Sequence, residues 1–417
     1  MTGVDAPLPA AAARRGLYLL TVSRWFPIGL AIGVIVLFGV ERGLTVAQVT
    51  MVGSVQGFTV LALELPTGGL ADVLGRRPIL IVAALVQSAG AVVLLLAHSL
   101  WAFGVALLLM GIFRALDSGP LEAWFVDATH RADPDAAIDG PLSRAGLILG
   151  LSIAAGALAS SGLVLWHPFP DRLTALEAPI SVWTLLTFLH VVLVVVVMKE
   201  PDRPRATGSA VRAALREAPT VVAGGLRLLG RARVLRALVL VEVFWAAAMV
   251  GFESLTPLRL SELLGSETRA GIWMGPAAAA AWALFAVGSE VAGRTARRLG
   301  MARVAIAARV LNGLGVVAMG LVLGPVAFVV AYLVTYALHG ANSPAHTVLL
   351  HREASAANRT TILSMNSMVA SAAYAVLLLF IGPLAERASI TVAMVAAGLF
   401  SVLGALAYLP ALRNERG

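Results

Sequence analysis

Apolar segments of about 20 residues recur along the whole of this chain, and they restrict its fold more than any other feature. A helix of that length crosses about 30 Å of hydrocarbon. In hydrocarbon every backbone N–H and C=O must be bonded within the protein, so only helices and closed barrels can span it. Because the segments are too long for barrel strands, they predict an all-α integral membrane protein with many spans.

The composition supports a membrane protein. Of the 417 residues, 59% are hydrophobic and 13% are charged, and the mean hydropathy is +0.88, whereas a typical soluble domain is about 25% charged. The absence of cysteine excludes disulfides and thiolate metal sites. The net charge of +8 would suggest a nucleic-acid partner in a soluble protein. Here the basic residues are distributed by side of the membrane, so we expect no nucleic-acid partner.

Twelve spans can be placed on the apolar segments. The first follows Arg14 and Arg15, and it is a retained helix because it is long and no small-residue cleavage site follows it. With the N-terminus inside, most Arg and Lys residues fall in cytoplasmic loops, so both termini are expected in the cytoplasm, in a bacterial inner membrane. The predicted spans are residues 17–40, 46–70, 78–97, 100–124, 141–165, 179–198, 234–258, 272–293, 304–323, 325–348, 361–382 and 389–410.

The longest polar stretch divides the chain into two parts. It predicts an N-terminal six-helix bundle at 1–198, a cytoplasmic linker with an amphipathic helix at 199–233, and a C-terminal bundle at 234–417. The two parts show a weak repeat, since Glu64–Arg77 and Glu290–Arg303 both place a Glu before a basic turn that contains Gly. Paired bundles with a substrate site at their interface are typical of transporters.

Charged residues inside the spans are candidates for function, because each costs about 2.5–3.5 kcal/mol at a helix centre. On the fourth span, Arg114 and Asp117 are three residues apart and can partly neutralise each other. On the seventh, Glu242 and Glu253 are eleven apart, or about three turns, and share a face. We predict these four as proton-coupling residues. Alternatively, Arg114 and Asp117 only hold helices together, and Glu253 is solvated at the outer mouth.

Aromatic and polar residues on two spans suggest a substrate cavity. On the tenth span they recur at helical spacing on one face, and such rings can stack on a planar ligand or attract a cation. The alternative is packing aromatics with a histidine satisfied by a neighbour. The residues of this face are Tyr332, Tyr336, His339, Ser343 and His346. From this face we assign the first four to the cavity, together with Arg24 and Trp25 of the first span.

The turn between the second and third spans reads GGLADVLGRR, from Gly68 to Arg77. It resembles the G-x-L-A-D-R-x-G-R-[RK] loop of major facilitator superfamily (MFS) transporters, with Val73 where the family has a basic residue. The preceding ELPT is similar to an extended form in drug-efflux-like members. The resemblance implies the MFS fold: twelve transmembrane helices in two six-helix bundles around a central cavity, which the first, fourth, seventh and tenth helices line.

The same resemblance implies roles for particular residues. The loop is expected to gate the cytoplasmic side, with Asp72 near the start of the eleventh helix, where Arg359 is a candidate partner. The predicted gating residues are Glu64, Gly68, Asp72, Gly75, Arg76, Arg77 and Arg359. Arg114 matches the membrane-embedded Arg that family members use in proton transfer. On the fifth span, Leu151 stands where the family's antiporters carry a Pro.

Four glycines of the fifth span predict close approach to a neighbouring helix. They are Gly146, Gly150, Gly156 and Gly162.

Together these features predict a secondary active transporter that exports a hydrophobic or cationic small molecule, driven by proton influx. A proton-coupled importer of a sugar or other metabolite is the alternative, and a membrane sensor is a more distant one. The sequence contains no Walker loop, zinc-ligand spacing or nucleophile elbow, so we expect neither enzyme activity nor a cofactor or metal. The expected partners are the substrate, protons and the lipid bilayer, and we expect a monomer.

Overall fold

The computed structural model describes residues 8–200, 220, 222–354 and 358–415, without the side chains at positions 65, 68, 69, 72 and 360. Regular structure in these residues is helical. The helices of the first half are α1 (Ala10–Ile32), α2 (Ile35–Glu41), α3 (Val46–Leu74), α4 (Arg76–Leu95), α5 (Leu100–Leu116), α6 (Pro120–Ala132), α7 (Asp139–Trp166) and α8 (Glu177–Val197).

The second half continues in the same manner. Its helices are α9 (Arg233–Met249), α10 (Thr256–Leu264), α11 (Glu267–Leu299), α12 (Met301–Leu321), α13 (Pro325–Glu353), α14 (Arg359–Arg387), α15 (Ile390–Leu403) and α16 (Leu409–Asn414). A π turn (Val250–Ser254) joins α9 to α10, and a 3₁₀ turn (Gly404–Tyr408) joins α15 to α16. The predicted linker falls mostly outside the described residues, although residues 222–231 are helical.

The number of membrane spans agrees with the sequence. Among the described residues, eleven helical segments are long and apolar enough to cross a membrane, and α1 with α2, bent by 42°, form a twelfth. The bend falls at Gly33, which ends α1. The predicted all-α protein with twelve spans is therefore confirmed.

Two predicted spans are interrupted within the membrane. The fourth divides into α5 and α6, because Gly119 adopts a left-handed conformation (φ 93°) and Pro120 starts a new helix. A proline is well suited to the first position of a helix, where its missing N–H has no partner to lose. The seventh span contains the π turn, which adds one residue to a single helical turn. Both breaks lie beside carboxylates that the sequence singled out, Asp117 and Glu253.

The chain forms two compact units. The first contains Met1–Ile35 and Thr59–Ala218, and the second contains Val36–Phe58 and Pro219–Gly417. Helix α3 is thus shared, since its first half belongs to the second unit. There it packs closely on α14, and a Cβ added at Gly382 would lie 1.7 Å from Oγ1 of Thr50.

Small residues bring helices together inside the first unit. A Cβ at Gly156 of α7 would lie 2.1 Å from the carbonyl oxygen of Phe26 and 3.0 Å from the Cα of Gly29 in α1. The prediction that the fifth span approaches a neighbouring helix closely is therefore correct at Gly156. At Gly146, Gly150 and Gly162 an added Cβ would meet no atom of the described residues within 4 Å.

The starts of α4 and α12 are built alike. Each helix follows a glycine with positive φ, Gly75 (96°) or Gly300 (87°). The carboxylate of Glu200 accepts hydrogen bonds from the backbone N–H groups of Arg76 (3.3 Å) and Arg77 (3.0 Å). These N–H groups have no partner within the helix, and the helix dipole favours an anion at this end.

In the second unit the corresponding carboxylate is that of Glu415. It accepts a hydrogen bond from the N–H of Ala302 (3.0 Å) and pairs with Arg352. Glu200 follows the sixth span and Glu415 follows the twelfth, so each unit uses a residue after its last span to hold the start of its third. This is a structural repeat between the halves.

We expect Glu200→Ala and Glu415→Ala each to lower the free energy of unfolding by about 1–2 kcal/mol, because each leaves helix-terminal N–H groups without an acceptor. Glu290→Ala is the matched control, because Glu290 is 63% exposed and pairs with a 69% exposed Arg294; such pairs contribute less than about 1 kcal/mol. Thermal unfolding in detergent, followed by tryptophan fluorescence, measures the change. Equal shifts in all three variants would contradict the capping role.

Candidate functional site

The first unit contains a charged pair buried between helices. The Nε of Arg24, on α1, pairs with the Oδ2 of Asp117, which ends α5, and the two side chains are 12% and 2% exposed. The break between α5 and α6 places Asp117 there, since the backbone turns away directly after it. Taking either charge alone out of water would cost several kcal/mol, so each requires the other.

Aromatic rings complete the surroundings of Arg24. Its guanidinium lies 4.6 Å from the ring centroid of Trp25 and 5.9 Å from that of Phe113, distances at which a cation is attracted by a ring face. On the adjacent residue, the Oγ of Ser23 is hydrogen-bonded to Nδ1 of His190 (2.8 Å). A small cavity here is lined by Ser23, Arg24, Pro27, Ile28, Ala84, Gln87, Phe113, Trp183, Thr187 and His190.

The structure gives Asp117 a partner that the sequence did not predict. Asp117 pairs with Arg24 of α1, while the side chain of Arg114 is exposed. The partial neutralisation of Asp117 by Arg114 stays a prediction.

In the second unit, the π turn carries Glu253 to two tyrosines of α13. The hydroxyl of Tyr336 donates a hydrogen bond to Oε1 of Glu253, and the ring of Tyr332 packs on that of Tyr336 with centroids 5.3 Å apart. Next to Glu253, the Oγ of Ser254 is hydrogen-bonded to the hydroxyl of Tyr374 in α14 (2.7 Å). The turn therefore connects three helices through polar side chains.

Around this carboxylate lies a group of rings, which we call the aromatic cluster. Its members are Trp245, Phe252, Trp282, Phe285, Tyr332, Tyr336 and His339. His339 is central, with ring centroids 5.7 Å from Trp245, 5.1 Å from Phe252 and 5.2 Å from Phe285. Phe252, Tyr332 and Tyr336 are buried, whereas the other four rings are only half-buried. Half-buried rings thus lie close to one carboxylate.

Glu242, two turns before the π turn, belongs to a different group. Its Oε1 lies 2.9 Å from Nε2 of His346 and accepts a hydrogen bond from Nδ2 of Asn366 (2.9 Å). The sequence placed Glu242 and Glu253 on one face of a regular helix, but the π turn intervenes and the two carboxylates have separate partners.

The tenth-span residues are likewise divided. Tyr332, Tyr336 and His339 meet in the aromatic cluster, whereas His346 binds Glu242. Ser343 is exposed, and its backbone carbonyl accepts a hydrogen bond from the hydroxyl of Thr347 (3.0 Å). One predicted face therefore serves two sites.

Glu64, Gly75, Arg76 and Arg77 of the predicted gate lie at the end of α3 and the start of α4. The N–H groups of Arg76 and Arg77 bond to Glu200, as described above. The side chain of Arg76 pairs with Asp127 (3.2 Å), and that of Arg77 donates to the carbonyl of Val195 (2.9 Å).

The remaining gate residues are less fully defined. Glu64 is half-buried, and one turn later Thr67 donates to the carbonyl of Ala115 (2.9 Å), which ties α3 to α5. The surroundings of Gly68 and Asp72 lie outside the described residues. Arg359 is exposed at the start of α14. The gating roles stay predictions.

Several residues of these sites were not predicted from the sequence. Trp245, Trp282 and Phe285 look like ordinary apolar residues of their spans, and no signal marked them. Glu200 and Glu415 could have been found, since each is the first acidic residue after the last span of its half.

The helices and buried polar groups define a polytopic membrane protein of the transporter type. The sequence profile of the Major Facilitator Superfamily matches residues 17–372, so the chain belongs to that family. Membership supports the transport of a small molecule across a membrane, and the predicted family and fold are confirmed at this level. Among curated proteins, the sequence has no match.

Solved structures share this fold at low sequence identity. The nucleoside transporter NupG has a TM-score of 0.76 and 11% sequence identity, and the match covers 95% of this chain and 98% of that chain. A bacterial homologue of the human lysosomal transporter Spinster has a TM-score of 0.74 and 15% sequence identity, and the match covers 97% of each chain. A POT family transporter in complex with 5-aminolevulinic acid has a TM-score of 0.69 and 14% sequence identity, and the match covers 96% of this chain and 95% of that chain. These likenesses show the fold alone.

We expect Asp117→Asn to destabilise the protein by about 3–5 kcal/mol, because it leaves the buried charge of Arg24 without a partner. The double variant Arg24→Gln with Asp117→Asn removes both charges and should recover most of that loss. A double-mutant cycle on unfolding in detergent measures their coupling. Additive effects of the two substitutions would show that the pair has no net role in stability.

Proposed function

We propose that this protein is a proton-coupled exporter of hydrophobic or cationic small molecules, such as drugs or antibiotics, working by alternating access. The observation that carries the proposal is the carboxylate of Glu253 beside the half-buried rings of the aromatic cluster. An anion among ring faces is suited to an organic cation, because the charge meets the carboxylate while the apolar part of the ligand packs on the rings.

Specific rings supply this recognition. Trp282 contacts both Phe285 (5.8 Å between centroids) and Tyr336 (6.0 Å), so its indole lies next to the tyrosine that bonds Glu253. Trp245 stacks on His339 at an interplanar angle of 28°, which presents a broad flat surface. Polar specificity would come from Glu253 and the hydroxyl of Tyr336.

Proton coupling is supported by buried groups that can gain or lose a proton. Asp117 is 2% exposed beside Arg24, and Glu242 is 7% exposed beside His346. Binding of a cation at Glu253 would compete with a proton for the same carboxylate, which is the exchange that an antiporter needs. Arg114, which is exposed, is a weaker candidate than it was from the sequence.

The proposed location, topology and oligomeric state follow from the sequence. The bacterial inner membrane, cytoplasmic termini and a monomer are all proposals that rest on the distribution of basic residues and on the family.

We expect the purified protein to bind tetraphenylphosphonium more tightly than tetraphenylborate, which has the same shape and the opposite charge. Glu253→Gln should weaken phosphonium binding about tenfold or more, as expected for the loss of about 1.4 kcal/mol of attraction to the cation. Quenching of tryptophan fluorescence in detergent measures both affinities. Glu262→Gln, on the exposed end of an ion pair with Arg259, is the control. Equal loss in both variants would contradict the site.

Transport direction can be tested in proteoliposomes with ethidium, a permanent cation that a pH gradient cannot trap by protonation. Proton antiport predicts that ethidium accumulates when the lumen is acidic, with the membrane potential clamped by potassium and valinomycin. Accumulation with an acidic exterior instead would indicate symport and overturn export. Glu253→Gln should abolish the accumulation, whereas Glu262→Gln should retain it.

A further inference from the structure

The small cavity beside the Arg24–Asp117 pair of the first unit has polar walls that the proposed transport site does not use. Its lining comes from α1, α4, α5 and α8 and includes Arg24, Gln87, Trp183 and Thr187. The space open to a water-sized sphere is about 10 Å³. One water molecule needs about 10–15 Å³ of such space. The cavity is therefore of the size that suits a single water-sized ligand.

Two polar atoms on the wall of this cavity lack a partner. They are the indole Nε1 of Trp183 on α8 and the side-chain Oε1 of Gln87 on α4, both buried and without a hydrogen-bond partner among the described residues. The two side chains are 1% and 6% exposed. A buried donor or acceptor without a partner is costly, and in folded proteins such groups are bonded to protein or to ordered water.

Trp124 shows how the same unit treats another indole of equal burial. Trp124 is also 1% exposed, but its Nε1 donates a hydrogen bond to the backbone carbonyl of Lys199 (3.1 Å). Within the part of the chain that the structure describes, no acceptor does this for Trp183. The indole N–H of Trp183 therefore requires an acceptor that the described residues do not provide.

The contact between α4 and α8 brings Gln87 and Trp183 to the same place. The hydroxyl of Thr184 on α8 donates to the carbonyl of Ala91 on α4 (3.4 Å). As the third and sixth spans, the two helices run antiparallel, so Gln87, one turn before Ala91, lies beside the turn that follows Thr184. That turn contains Thr187, which shares a helix face with Trp183 because residues four apart are neighbours.

Thr187 supplies a third polar atom. Its hydroxyl hydrogen is donated to the backbone carbonyl of Thr184 (2.7 Å), so its oxygen offers lone pairs to a further donor. Thr187 lines the cavity and is 5% exposed. The wall therefore carries one donor, from Trp183, and two acceptors, from Gln87 and Thr187.

These three atoms select a neutral ligand. A halide ion requires donors around it, but two of the three atoms would present lone pairs to it. A metal cation would suit the two oxygens, but the guanidinium of Arg24 lines the same cavity and repels a cation. A water molecule can accept from the indole and donate to each oxygen, which gives the about three hydrogen bonds that are typical of a buried water.

We propose that this cavity binds one water molecule, which joins α4 to α8 through Gln87, Trp183 and Thr187. The water satisfies the buried N–H of Trp183 and the buried carbonyl of Gln87, and it thereby stabilises the first unit. It also places a dipole next to the guanidinium of Arg24, which lowers the cost of holding that charge away from bulk water. The site does not rest on the proposed function.

NMR transfer of magnetisation from water to the indole hydrogens tests the site, in deuterated protein that contains nitrogen-15 tryptophan. Measurement in the rotating frame separates direct contact from hydrogen exchange by sign. Trp183→Phe and Trp124→Phe identify the two signals, and removal of the other tryptophans one at a time assigns Trp183 if its own variant does not fold. We expect direct contact with water at Trp183 and none at Trp124. No contact at Trp183, or equal contacts at both, would overturn the proposal.

The bridge between the helices is tested by Gln87→Met, which keeps the length of the side chain and removes its polar atoms. We expect this variant to lose the contact between water and Trp183. Thr184→Val is the matched control and should keep it, because Thr184 joins the same two helices without lining the cavity. Thr187→Val removes the third partner and replaces Gln87→Met if that variant does not fold. An unchanged contact in the cavity variant would exclude a bridging water.

Exchange of salts distinguishes water from a bound halide. We expect the contact at Trp183, and the midpoint of thermal unfolding, to be the same in sodium chloride and sodium gluconate at equal ionic strength. A contact that is present in gluconate and lost in chloride would assign the cavity to a halide ion and overturn the proposal.

Discussion

A charge inside the hydrocarbon must find its partner within the protein, and the architecture of both units depends on this constraint. Each lipid-facing charge would cost about 2.5–3.5 kcal/mol, against a total stability of about 5–15 kcal/mol. The first unit satisfies it by ending α5 early, so that Asp117 meets Arg24. In the second unit, Glu242 meets His346 and Asn366. Helix breaks and helix contacts alike are arranged around these charges.

The separation of two carboxylates on the seventh span is central to the proposed mechanism. Glu242 is held by His346 and Asn366, both polar, while Glu253 lies against tyrosines and an aromatic surface. One environment is suited to moving a proton and the other to attracting an organic cation. Because both are on the same span, movement of that span would affect both sites together. Such movement would add a coupling between the two sites to the direct competition of cation and proton at Glu253.

The sequence predicted the helices well and the site only in part. Span positions follow from hydropathy and backbone bonding, which act locally, so their number and approximate ends were correct. Side-chain partners depend on how helices are rotated against each other. No periodicity rule could therefore supply Arg24, which is on another helix, as the partner of Asp117. Tyr336 and His339 were correctly grouped because they are neighbours on one continuous helix.

The π turn at Val250–Ser254 also has a consequence for how this span can change in length. Losing one residue from an α-helix rotates everything beyond it by about 100°, which would turn an entire membrane span away from its neighbours. A π turn already holds one residue more than an α turn. Deleting a residue here would restore an α turn while α9 and α10 kept their faces, so the span can absorb an insertion or deletion at this point that it would not tolerate elsewhere.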